Sequence, residues 1–427
     1  MVDYVERISD RKLDRYLRIF GAVVLQGARA TGKSTSGVHA AASQIRLDSS
    51  PNLPALVQTD PSVALEGETP RLIDEWQLAP QVWNSVRHEV DMRQLAGQFI
   101  LTGSATPSDD ITRHSGAGRF GRISLRTFSL AEAQMSTRKV DFAQLLNNDQ
   151  SQGSLASFGG PRVADYVDQI IRGGWPMVSH FSQSEAQEYL ASYLDDVARV
   201  DIRIPMQDGL ASTSDPQRVW ALIRALARNT ATEVSVAKLA IEAEVSEGRV
   251  GIDQKSARKY LDQLSRIFVL EELPAWHTHI RSKVRLRVSP KWHFIDPSLA
   301  ASALQLSSKR LLDDPNCLGF FFESLAIRDI RIYSDALSGS VFHYRDDAGL
   351  EVDAIVELRD GIWAGFEIIL GGDKWIDAGA ENLKRLRAKV TDARQRDLAS
   401  LNVITAGVES YTRPDGVNVI SLGHLFI

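Results

Sequence analysis

The stretch that decides the fold reads Gly27-Ala28-Arg29-Ala30-Thr31-Gly32-Lys33-Ser34. Two glycines with four residues between them, followed by lysine and serine, form the pattern of a phosphate-binding loop. The apolar residues 22–25 before it predict a buried parallel strand, and the alanine-rich residues 36–45 after it predict a helix. Because this order brings backbone N–H groups and a helix N-terminus to one point, the stretch predicts a nucleotide-binding site.

The side chains of this loop have distinct expected roles. Lys33 is expected to reach the β- and γ-phosphates of a nucleotide, and Ser34 to bind Mg²⁺. The alternative, a glycine-rich turn without a ligand, is disfavoured by the flanking strand and helix. The residues expected to contact the nucleotide are Gly27, Ala28, Arg29, Ala30, Thr31, Gly32, Lys33, Ser34 and Thr35.

The composition limits the classes of protein and of partner. The chain has 427 residues, enough for about three domains. Its net charge is -5, so any nucleic-acid site must be local. The single cysteine, Cys317, excludes an intrachain disulfide and a cysteine-based zinc site. A charged N-terminus, and the lack of an apolar run near ~18 residues, favour a cytoplasmic protein without a membrane span.

Two acidic residues end the next informative strand. Residues 55–58 predict a second strand, and residues 71–77 predict a further apolar strand that ends in Asp74 and Glu75. An Asp-Glu pair alone is usually a solvated turn. At the carboxyl end of a parallel sheet, however, both carboxylates would lie beside the phosphates. Asp74 is then expected to hold Mg²⁺ through water, and Glu75 to polarise the attacking water.

Residues 98–104 predict another strand, with small polar residues at its end. Thr102 and Ser104 are candidates for sensing the γ-phosphate, and capping of the following turn is the alternative. Arg119, in a glycine-rich segment, is a candidate arginine finger for the γ-phosphate of a neighbouring subunit. Since arginines are common on surfaces, a role outside catalysis is the alternative for Arg119.

These segments resemble the AAA-family ATP-binding proteins of bacteria and archaea. The resemblance rests on the phosphate loop, Ile73-Asp74-Glu75-x-Gln77, Leu101-Thr102-Gly103-Ser104, Gly118-Arg119 and residues 127–132. It implies an α/β P-loop domain of the AAA type at residues 1–135, with ATP and Mg²⁺ as cofactors. In that group a helical region follows, and then a C-terminal α/β domain of unknown function that resembles restriction endonucleases. The loop departs from the family at Ala28 and Ser34, where proline and threonine are more frequent, but serine keeps the metal-binding hydroxyl.

The middle of the chain predicts a linker and a helical region. Residues 136–160 predict the linker, because Ser, Gly, Asn and Gln dominate from residue 147 onward. Residues 161–290 predict the helical region, with a strand at 268–273 after helices at 216–228, 235–245 and 253–267. Three helices and a small β-element describe a winged helix, whose third helix enters the DNA major groove. The exposed side of that helix would offer the cations Lys255, Arg258, Lys259 and Arg266.

A basic strand is predicted at residues 281–288, where cations alternate with apolar residues. Such a face could pair with backbone phosphates and would make binding strongly salt-dependent. Winged helices in ATPases also act as packing modules, and a basic strand face is often merely solvated. DNA binding and a structural or protein-binding role therefore both stay open for residues 161–290.

The C-terminal domain, residues 291–427, resembles restriction-endonuclease-like nucleases in its carboxylates. Glu323 lies in an apolar helix, and Asp353 and Glu367 lie on two predicted strands. In such nucleases two carboxylates hold Mg²⁺, and a lysine two residues after the last of them helps to activate water. Here that position is Ile369, and Lys374 lies five residues further on. The resemblance therefore implies a degenerate site in a binding or structural domain rather than an active nuclease.

Together these features predict an ATP-binding AAA-type ATPase whose nucleotide state controls a winged-helix and nuclease-like C-terminal half. The candidate partners are DNA, another protein and further copies of the chain in a homo-oligomer. Turnover is expected to be slow without a neighbouring subunit or partner. The main alternative is a non-catalytic, nucleotide-gated interaction module in a defence or toxin–antitoxin setting, and a DNA nuclease is the second alternative.

Overall fold

The computed structural model describes residues 4–104, 116–147, 154–202, 215–245, 252–277 and 289–427. The chain forms two compact units. The first unit comprises Met1–Thr127, Asp196–Asp215 and Tyr260–Val269. The second unit comprises Phe128–Asp195, Pro216–Lys259 and Leu270–Ile427. Within the described ranges, no helix is both long enough and apolar enough to span a lipid bilayer.

A five-stranded parallel sheet forms the centre of the first unit. In chain order its strands are β1 (Ala22–Gln26), β2 (Ser43–Arg46), β3 (Arg71–Asp74), β4 (Phe99–Gly103) and β5 (Phe120–Ser124). The spatial order is β2-β3-β4-β1-β5, so β1 lies between β4 and β5. Gln26 pairs with Gly103 and Ser124, and Asp74 pairs with Thr102. The carboxyl ends of these strands therefore meet at one edge of the sheet.

Apolar side chains bury both faces of this sheet. The helices of the same part of the chain are α1 (Ile8–Leu17), α2 (Lys33–Ala40), α3 (Leu53–Thr59), α4 (Ser62–Leu65) and α5 (Val82–Arg93). Along β1, Val24 belongs to the core cluster that contains Trp83, whereas Val23 and Leu25 belong to the cluster that contains Leu13. Because both faces are buried, the central strands appear in the sequence as continuous apolar runs.

The second strand of this sheet lies outside the segment predicted for it. The helix predicted at residues 36–45 ends at Ala40, and β2 follows within the same segment. β2 is an edge strand, in which Ile45 packs against the core while Gln44 and Arg46 are exposed. An edge strand with one apolar side chain has no apolar run, and this run was the signal on which the prediction depended.

Residues 55–58, predicted as that second strand, lie in α3 instead. Pro54 occupies the first turn of α3, where proline is tolerated because the N–H it lacks has no helical partner there. Val57 is buried and Leu56 is exposed. A short apolar run does not distinguish a short helix from a strand, and here tertiary packing favours the helix.

A seven-stranded mixed sheet forms the centre of the second unit. In chain order, the strands of this unit are β6 (Val140–Asp141), β7 (Ala156–Phe158), β8 (Leu270–Leu273), β9 (Lys291–Phe294), β10 (Ser340–Arg345), β11 (Glu351–Glu357), β12 (Trp363–Ile369), β13 (Leu398–Thr405), β14 (Glu409–Thr412), β15 (Asn418–Ser421) and β16 (Leu425–Phe426). The large sheet has the order β10-β11-β12-β13-β15-β14-β7, with β12, β13 and β15 parallel and the other pairs antiparallel. β6 pairs with β16, and β8 pairs with β9, in two small sheets.

Two long helices pack against the large sheet. The remaining helices are α6 (Phe142–Leu145), α7 (Val163–Arg172), α8 (Gln183–Arg199), α9 (Pro216–Arg228), α10 (Val236–Val245), α11 (Gln254–Arg266), α12 (Pro297–Ala303), α13 (Ser308–Leu312), α14 (Pro315–Ala336), α15 (Asp373–Lys389) and α16 (Asp392–Arg396). α14 packs against β10 and β12, and α15 packs against β12 and β13. The residues of α8 and α11 are divided between the two units.

Parts of the predicted linker, residues 136–160, belong to elements of the second unit. Phe142 of α6 is fully buried, and its ring lies 5.4 Å from that of Tyr333 between centroids. β7 pairs with β14 in the large sheet. The polar, glycine-containing composition on which the linker prediction depended lies mainly between α6 and β7, where residues 148–153 are outside the described ranges.

The middle region contains the helices that the sequence predicted. α9, α10 and α11 agree with the predicted bounds within one residue at each end, and β8 follows them. Lys255, Arg258 and Lys259 are exposed on α11, and Arg266 forms an ion pair within the same helix. The predicted basic strand at residues 281–288 lies outside the described residues. The winged helix therefore stays a prediction.

A buried ion network connects distant parts of the second unit. The guanidinium of Arg328 donates to Asp296 at 2.9 Å and to Asp329 at 2.8 Å, and all three side chains are at most 1% exposed. Asp296 also accepts the backbone N–H of Gly174 at 3.0 Å, and Asp329 accepts that of Leu130 at 2.9 Å. Buried charges are tolerated when they are paired and hydrogen-bonded in this way.

Replacing Arg328 with methionine is expected to lower the free energy of unfolding by about 3–5 kcal/mol, because two buried carboxylates would lose their cation. The matched control is Arg172→Met, which removes a partly exposed ion pair with Asp168. That control should change the free energy of unfolding by no more than about 1 kcal/mol. Chemical denaturation followed by tryptophan fluorescence measures both variants. Equally small changes in the two would contradict a structural role for the Arg328 network.

Candidate functional site

The phosphate loop runs from β1 to α2 with a backbone shape that requires glycine at two positions. Gly32, the N-cap of α2, has a φ of 91°, in the region that favours glycine. A Cβ atom at Gly27 would lie 2.2 Å from the carbonyl oxygen of Leu125. The two glycines of the motif therefore permit the tight turn that a phosphate-binding loop needs.

Hydrogen bonds within the first unit hold the loop in this shape. The hydroxyl of Thr31 donates to the carbonyl oxygen of Ala28 at 2.9 Å. From outside the loop, the guanidinium of Arg7 donates to the carbonyl oxygen of Thr31 at 2.9 Å and to that of Arg126 at 2.8 Å. Because Arg7 is buried, it connects the loop firmly to the segment that follows β5.

Lys33 is the buried cation of this site. Its ammonium donates to the carbonyl oxygen of Ala28 at 2.7 Å. Burial lowers the pKa of Lys33 to about 8, although the nearby carboxylates of Glu75 and Asp74 oppose the shift. A buried ammonium gains more from an adjacent anion than an exposed one does, because water screens the interaction less. Lys33 is therefore suited to a phosphate oxygen.

Asp74, at the end of β3, is the centre of the hydrogen bonds at this edge of the sheet. The hydroxyl of Ser34 donates to Asp74 Oδ1 at 2.8 Å, and the hydroxyl of Thr102 donates to the same oxygen. Asp74 is 1% exposed. The structure thus brings together three of the residues that the sequence predicted for metal binding and phosphate sensing.

These groups fit a Mg²⁺ ion by the chemistry of their donor atoms. The hydroxyl of Ser34 and the carboxylate of Asp74 are oxygen donors, which Mg²⁺ prefers. Mg²⁺ usually binds through one or two carboxylates together with the phosphates of a substrate. Among the described residues, no group of three or more His, Cys, Asp or Glu side chains could hold a metal ion. A Mg²⁺ ion at Ser34 and Asp74 would therefore take its other ligands from phosphate oxygens and water.

Glu75 has an uncommon backbone conformation for a residue with a side chain. Its φ is 56° and its ψ is 43°, in the left-handed region, and a short 3-10 helix at Trp76–Leu78 follows it. Conformations of this kind cost free energy and are frequent at functional sites. Burial raises the pKa of Glu75, while a hydrogen bond from the amide of Gln77 and the charge of Lys33 lower it. A carboxylate in such surroundings can act as a general base.

The polar end of β4 contacts both acidic residues. Thr102 bonds to Asp74, as described above. Ser104 accepts a hydrogen bond from Gln77 Nε2 at 3.5 Å, and the same amide donates to Glu75. Thr102 therefore bonds directly to Asp74, whereas Ser104 is connected to Glu75 through the amide of Gln77.

Arg119 lies at the amino ends of the strands, whereas the phosphate loop lies at their carboxyl ends. It precedes β5, whose first residue pairs with Ala22 at the start of β1, whereas the phosphate loop follows the end of β1. The length of β1, roughly 13 Å at 3.3 Å per residue, separates the two edges. The guanidinium of Arg119 pairs with Asp91, with 2.9 Å between Nε and Oδ1. Within one subunit Arg119 is not brought to the other predicted site residues, and its role toward a neighbouring subunit stays a prediction.

Some polar contacts at this edge were missed by the sequence reasoning. Arg46 ends β2, and its Nε lies 3.7 Å from Asp74 Oδ2. Because the second strand was predicted at residues 55–58, Arg46 was not recognised as the end of a strand. Arg29, predicted to contact the nucleotide, has its guanidinium 2.8 Å from the carboxylate of Asp201, a residue far away in the sequence. No short motif signals either contact.

A second cluster lies in the second unit, around the predicted degenerate nuclease-like site. Lys291 Nζ, on β9, lies 2.7 Å from Glu323 Oε1 on α14 and 3.3 Å from Asp353 Oδ1 on β11. The lysine that is missing from position 369 therefore has a counterpart in space, which the sequence analysis did not consider. The lysine comes from a strand before the acids, not from the position two residues after Glu367. Lys374 is exposed, with its ammonium 5.6 Å from the centre of its neighbour's indole ring.

The acids of this cluster outnumber its lysine. Burial raises the pKa of Glu323 to about 8 and that of Glu367 well above its ordinary value, and the nearby Asp353 adds to both shifts. Although burial opposes it, the carboxylates of Glu323 and Asp353 raise the pKa of Lys291. Burial and the neighbouring charge thus favour the protonated forms of Glu323 and Glu367, and the carboxylates favour the charged form of Lys291.

Comparison with protein families agrees with the interpretation of the first unit. Residues 20–134 match a family model described as an AAA domain. Residues 163–310 and 318–425 match two models described as domains of unknown function, DUF8612 and DUF4143. The models for the middle and C-terminal parts thus assign no activity.

Two relatives cover most of the chain. They are the uncharacterized proteins Mb2031c of Mycobacterium bovis and Rv2008c of Mycobacterium tuberculosis. Each is 27% identical over 371 residues, which is 85% of this chain and 73% of the relative.

Solved structures show only weak overall likeness. A Walker-type ATPase of Pyrococcus abyssi covers 71% of this chain and 96% of its own, with 12% identity and a TM-score of 0.42. The ORC2 protein of Aeropyrum pernix covers 64% of this chain and 90% of its own, with 10% identity and a TM-score of 0.30. Scores this low carry no argument. The AAA-domain match, together with the geometry of the loop, supports an AAA-type nucleotide-binding domain at residues 20–134.

Proposed function

We propose that the protein binds and hydrolyses ATP in its first unit and that the bound nucleotide controls the binding of a DNA or protein partner by the rest of the chain. The observation that supports this proposal is a convergence at one edge of the parallel sheet. Lys33, the hydrogen-bonded set of Ser34, Asp74 and Thr102, and Glu75 all lie there. All of these residues fall within the match to the AAA domain.

Each group has a distinct part in the proposed reaction. Lys33 and the N-terminus of α2 attract the triphosphate, because both present positive potential. Ser34 and Asp74 would hold Mg²⁺, which when bound neutralises phosphate charge. Glu75 accepts a proton from the water that attacks the γ-phosphorus, the bond from that phosphorus to the bridging oxygen breaks, and ADP and phosphate leave. Burial favours the action of Glu75 as a base by raising its pKa. Thr102 and Ser104 are the proposed sensors of the γ-phosphate.

The proposal includes assembly of several subunits. Arg119 lies at the amino ends of the strands, opposite the phosphate loop, and could reach a nucleotide only in a neighbouring subunit. An arginine from a neighbouring subunit that stabilises charge on the γ-phosphate raises the hydrolysis rate by roughly 10³–10⁵-fold in related reactions. A subunit without such a neighbour is therefore expected to hydrolyse ATP slowly.

Although the structure supplies a lysine beside the acids of the second unit, we propose a binding or structural role for this cluster rather than DNA cleavage, because the lysine is paired with the acids. The ammonium of Lys291 lies within 3.3 Å of the carboxylates of Glu323 and Asp353 and forms ion pairs with both. These are acids that a nuclease would use for metal ions. The proposed partner surface is instead α11, where Lys255 and Arg258 are exposed.

Glu75→Gln is expected to retain ATP affinity within about twofold and to lower kcat by roughly 10²–10⁴-fold, because an amide cannot accept the proton of the attacking water. Lys33→Ala is expected to weaken ATP binding by roughly 10–100-fold, since a hydrogen bond from a charged group contributes about 1.5–3 kcal/mol. Calorimetry measures the affinity, and single-turnover hydrolysis of radiolabelled ATP measures the rate.

Glu68→Gln is the control for these variants, because Glu68 is exposed in the same unit. Both its affinity and its rate should equal those of the wild type. Wild-type turnover in Glu75→Gln would remove Glu75 from the mechanism. If the wild type binds ATP without hydrolysing it even in a single turnover, the non-catalytic interaction module becomes the better account.

Supercoiled plasmid incubated with the protein and Mg²⁺ is expected to show no nicking beyond that seen with Asp353→Ala. The reason is that Lys291 already pairs with the carboxylates of Glu323 and Asp353. Agarose electrophoresis separates nicked from supercoiled plasmid. Nicking that persists in Lys33→Ala but disappears in Asp353→Ala would contradict this proposal and establish the nuclease alternative.

Duplex DNA is expected to bind Glu75→Gln more tightly with ATP than with ADP, because hydrolysis no longer ends the ATP state. Lys255→Ala and Arg258→Ala should each weaken binding and reduce the slope of log K against log salt by about 1. Fluorescence anisotropy of labelled DNA measures both quantities. Lys309→Ala, at an exposed site on α13, is the control. If none of these proteins binds DNA, the partner is a protein, which affinity purification with Glu75→Gln and ATP would identify.

A further inference from the structure

Gln77 lies between the proposed base and the end of β4. It belongs to the short 3-10 helix directly after Glu75. Its Nε2 donates one hydrogen bond to Glu75 Oε2 and another to Ser104 Oγ at 3.5 Å. A side-chain amide nitrogen carries two hydrogens, so these contacts use both of them.

The side-chain amide of Gln77 packs against β4 at a position where a side chain on residue 103 would not fit. A Cβ atom at Gly103 would lie 2.7 Å from Gln77 Oε1 and 2.9 Å from Trp76 Nε1. The absence of a side chain at Gly103 therefore leaves the space that the amide occupies against β4. Trp76 is buried and packs 5.1 Å from Trp83 between ring centroids, which anchors the 3-10 helix in the core. The main chain that carries Gln77 is thus held in place from the apolar side.

We propose that Gln77 is a positioning residue that couples Ser104 to Glu75, so that Glu75 is aligned for the attacking water when Ser104 contacts the γ-phosphate. This inference rests on the proposed ATPase function and adds a route of regulation to the same site. Ser104 follows directly after the carboxyl end of β4 and carries a hydroxyl. It lies two residues after Thr102, whose hydroxyl bonds to Asp74. A shift of Ser104 toward a phosphate changes its contact with the Gln77 amide, which also holds one oxygen of Glu75.

The coupling acts on rate rather than on affinity. Gln77 donates no hydrogen bond to the phosphate loop, to Lys33 or to Asp74 among the contacts of the described residues. Its loss should therefore leave the triphosphate contacts in place. A misaligned base, in contrast, lowers the rate strongly, because a displacement of about 1 Å can cost on the order of 10²-fold.

The test compares Gln77→Leu, which removes the amide at similar size, with Gln77→Glu, which keeps the length but replaces the donor with an acceptor. Both are expected to bind ATP with a Kd within about twofold of the wild type and to lose on the order of 10²-fold in kcat. Gln58→Leu, at an exposed position of α3, is the matched control and should change neither value. Calorimetry with ATP and Mg²⁺ and single-turnover hydrolysis provide the two measurements.

A double-mutant cycle tests the coupling itself. If Gln77 transmits the state of Ser104 to Glu75, the double variant Gln77→Leu with Ser104→Ala should lose about as much rate as the more severe single variant. If the rate loss of the double variant equals the product of the two single-variant losses, Ser104 and Gln77 act independently, and the proposed coupling is overturned. Wild-type kcat in both Gln77 variants would overturn the positioning role. Neither result touches ATP hydrolysis itself, which fails separately if the wild type shows no turnover or if Glu75→Gln turns over normally.

Discussion

The buried carboxylate of Asp74 is the constraint on which the rest of the site depends. A charge in the interior is costly unless hydrogen bonds replace its water, and here the hydroxyls of Ser34 and Thr102 provide them. Ser34 belongs to the helix after the phosphate loop, and Thr102 belongs to β4. One carboxylate at the end of β3 therefore connects the phosphate loop with β4 by hydrogen bonds. In the proposed mechanism the same three elements bind the triphosphate and sense its γ-phosphate.

The parts of this site that sequence reasoning could predict are those that a local pattern determines. The phosphate loop is contiguous, and the strand before it is a continuous apolar run because both of its faces are buried. Asp74 and Thr102 follow from the rule that parallel strands end at one edge of the sheet. The strand β2 was missed because an edge strand with one buried side chain has no apolar run, and Arg46 was missed with it.

The contacts that could not be predicted join residues far apart in the sequence. Arg29 and Asp201 pair although they are 172 residues apart in the sequence (201 minus 29), and Lys291 reaches Glu323 and Asp353 from a separate strand. No spacing rule connects such positions. The family pattern places its lysine two residues after Glu367, whereas here the amine comes from Lys291 on a separate strand. Gln77 differs from these, because its position two residues after Glu75 was visible but its hydrogen bonds to Glu75 and Ser104 were not.

The two units use buried charge in different ways. In the second unit, Arg328 and Lys291 are surrounded by carboxylates of the chain itself, which favours a structural or binding role. In the first unit, Lys33 donates only to a backbone carbonyl oxygen among its described hydrogen bonds, and burial lowers its pKa to about 8. An anion beside Lys33 would compensate its burial. This contrast supports the proposal that a ligand binds at the phosphate loop.

We propose that a triphosphate binds at this loop together with a Mg²⁺ ion held by Ser34 and Asp74. The most direct measurement is the calorimetric affinity for ATP, with Mg²⁺ and with EDTA, in the wild type and in Asp74→Asn. The wild type is expected to bind ATP about tenfold more tightly with Mg²⁺, a difference of about 1.4 kcal/mol, and Asp74→Asn is expected to lose that difference while it keeps its affinity in EDTA. Equal Mg²⁺ dependence in the two proteins, or no ATP binding by the wild type, would contradict the account.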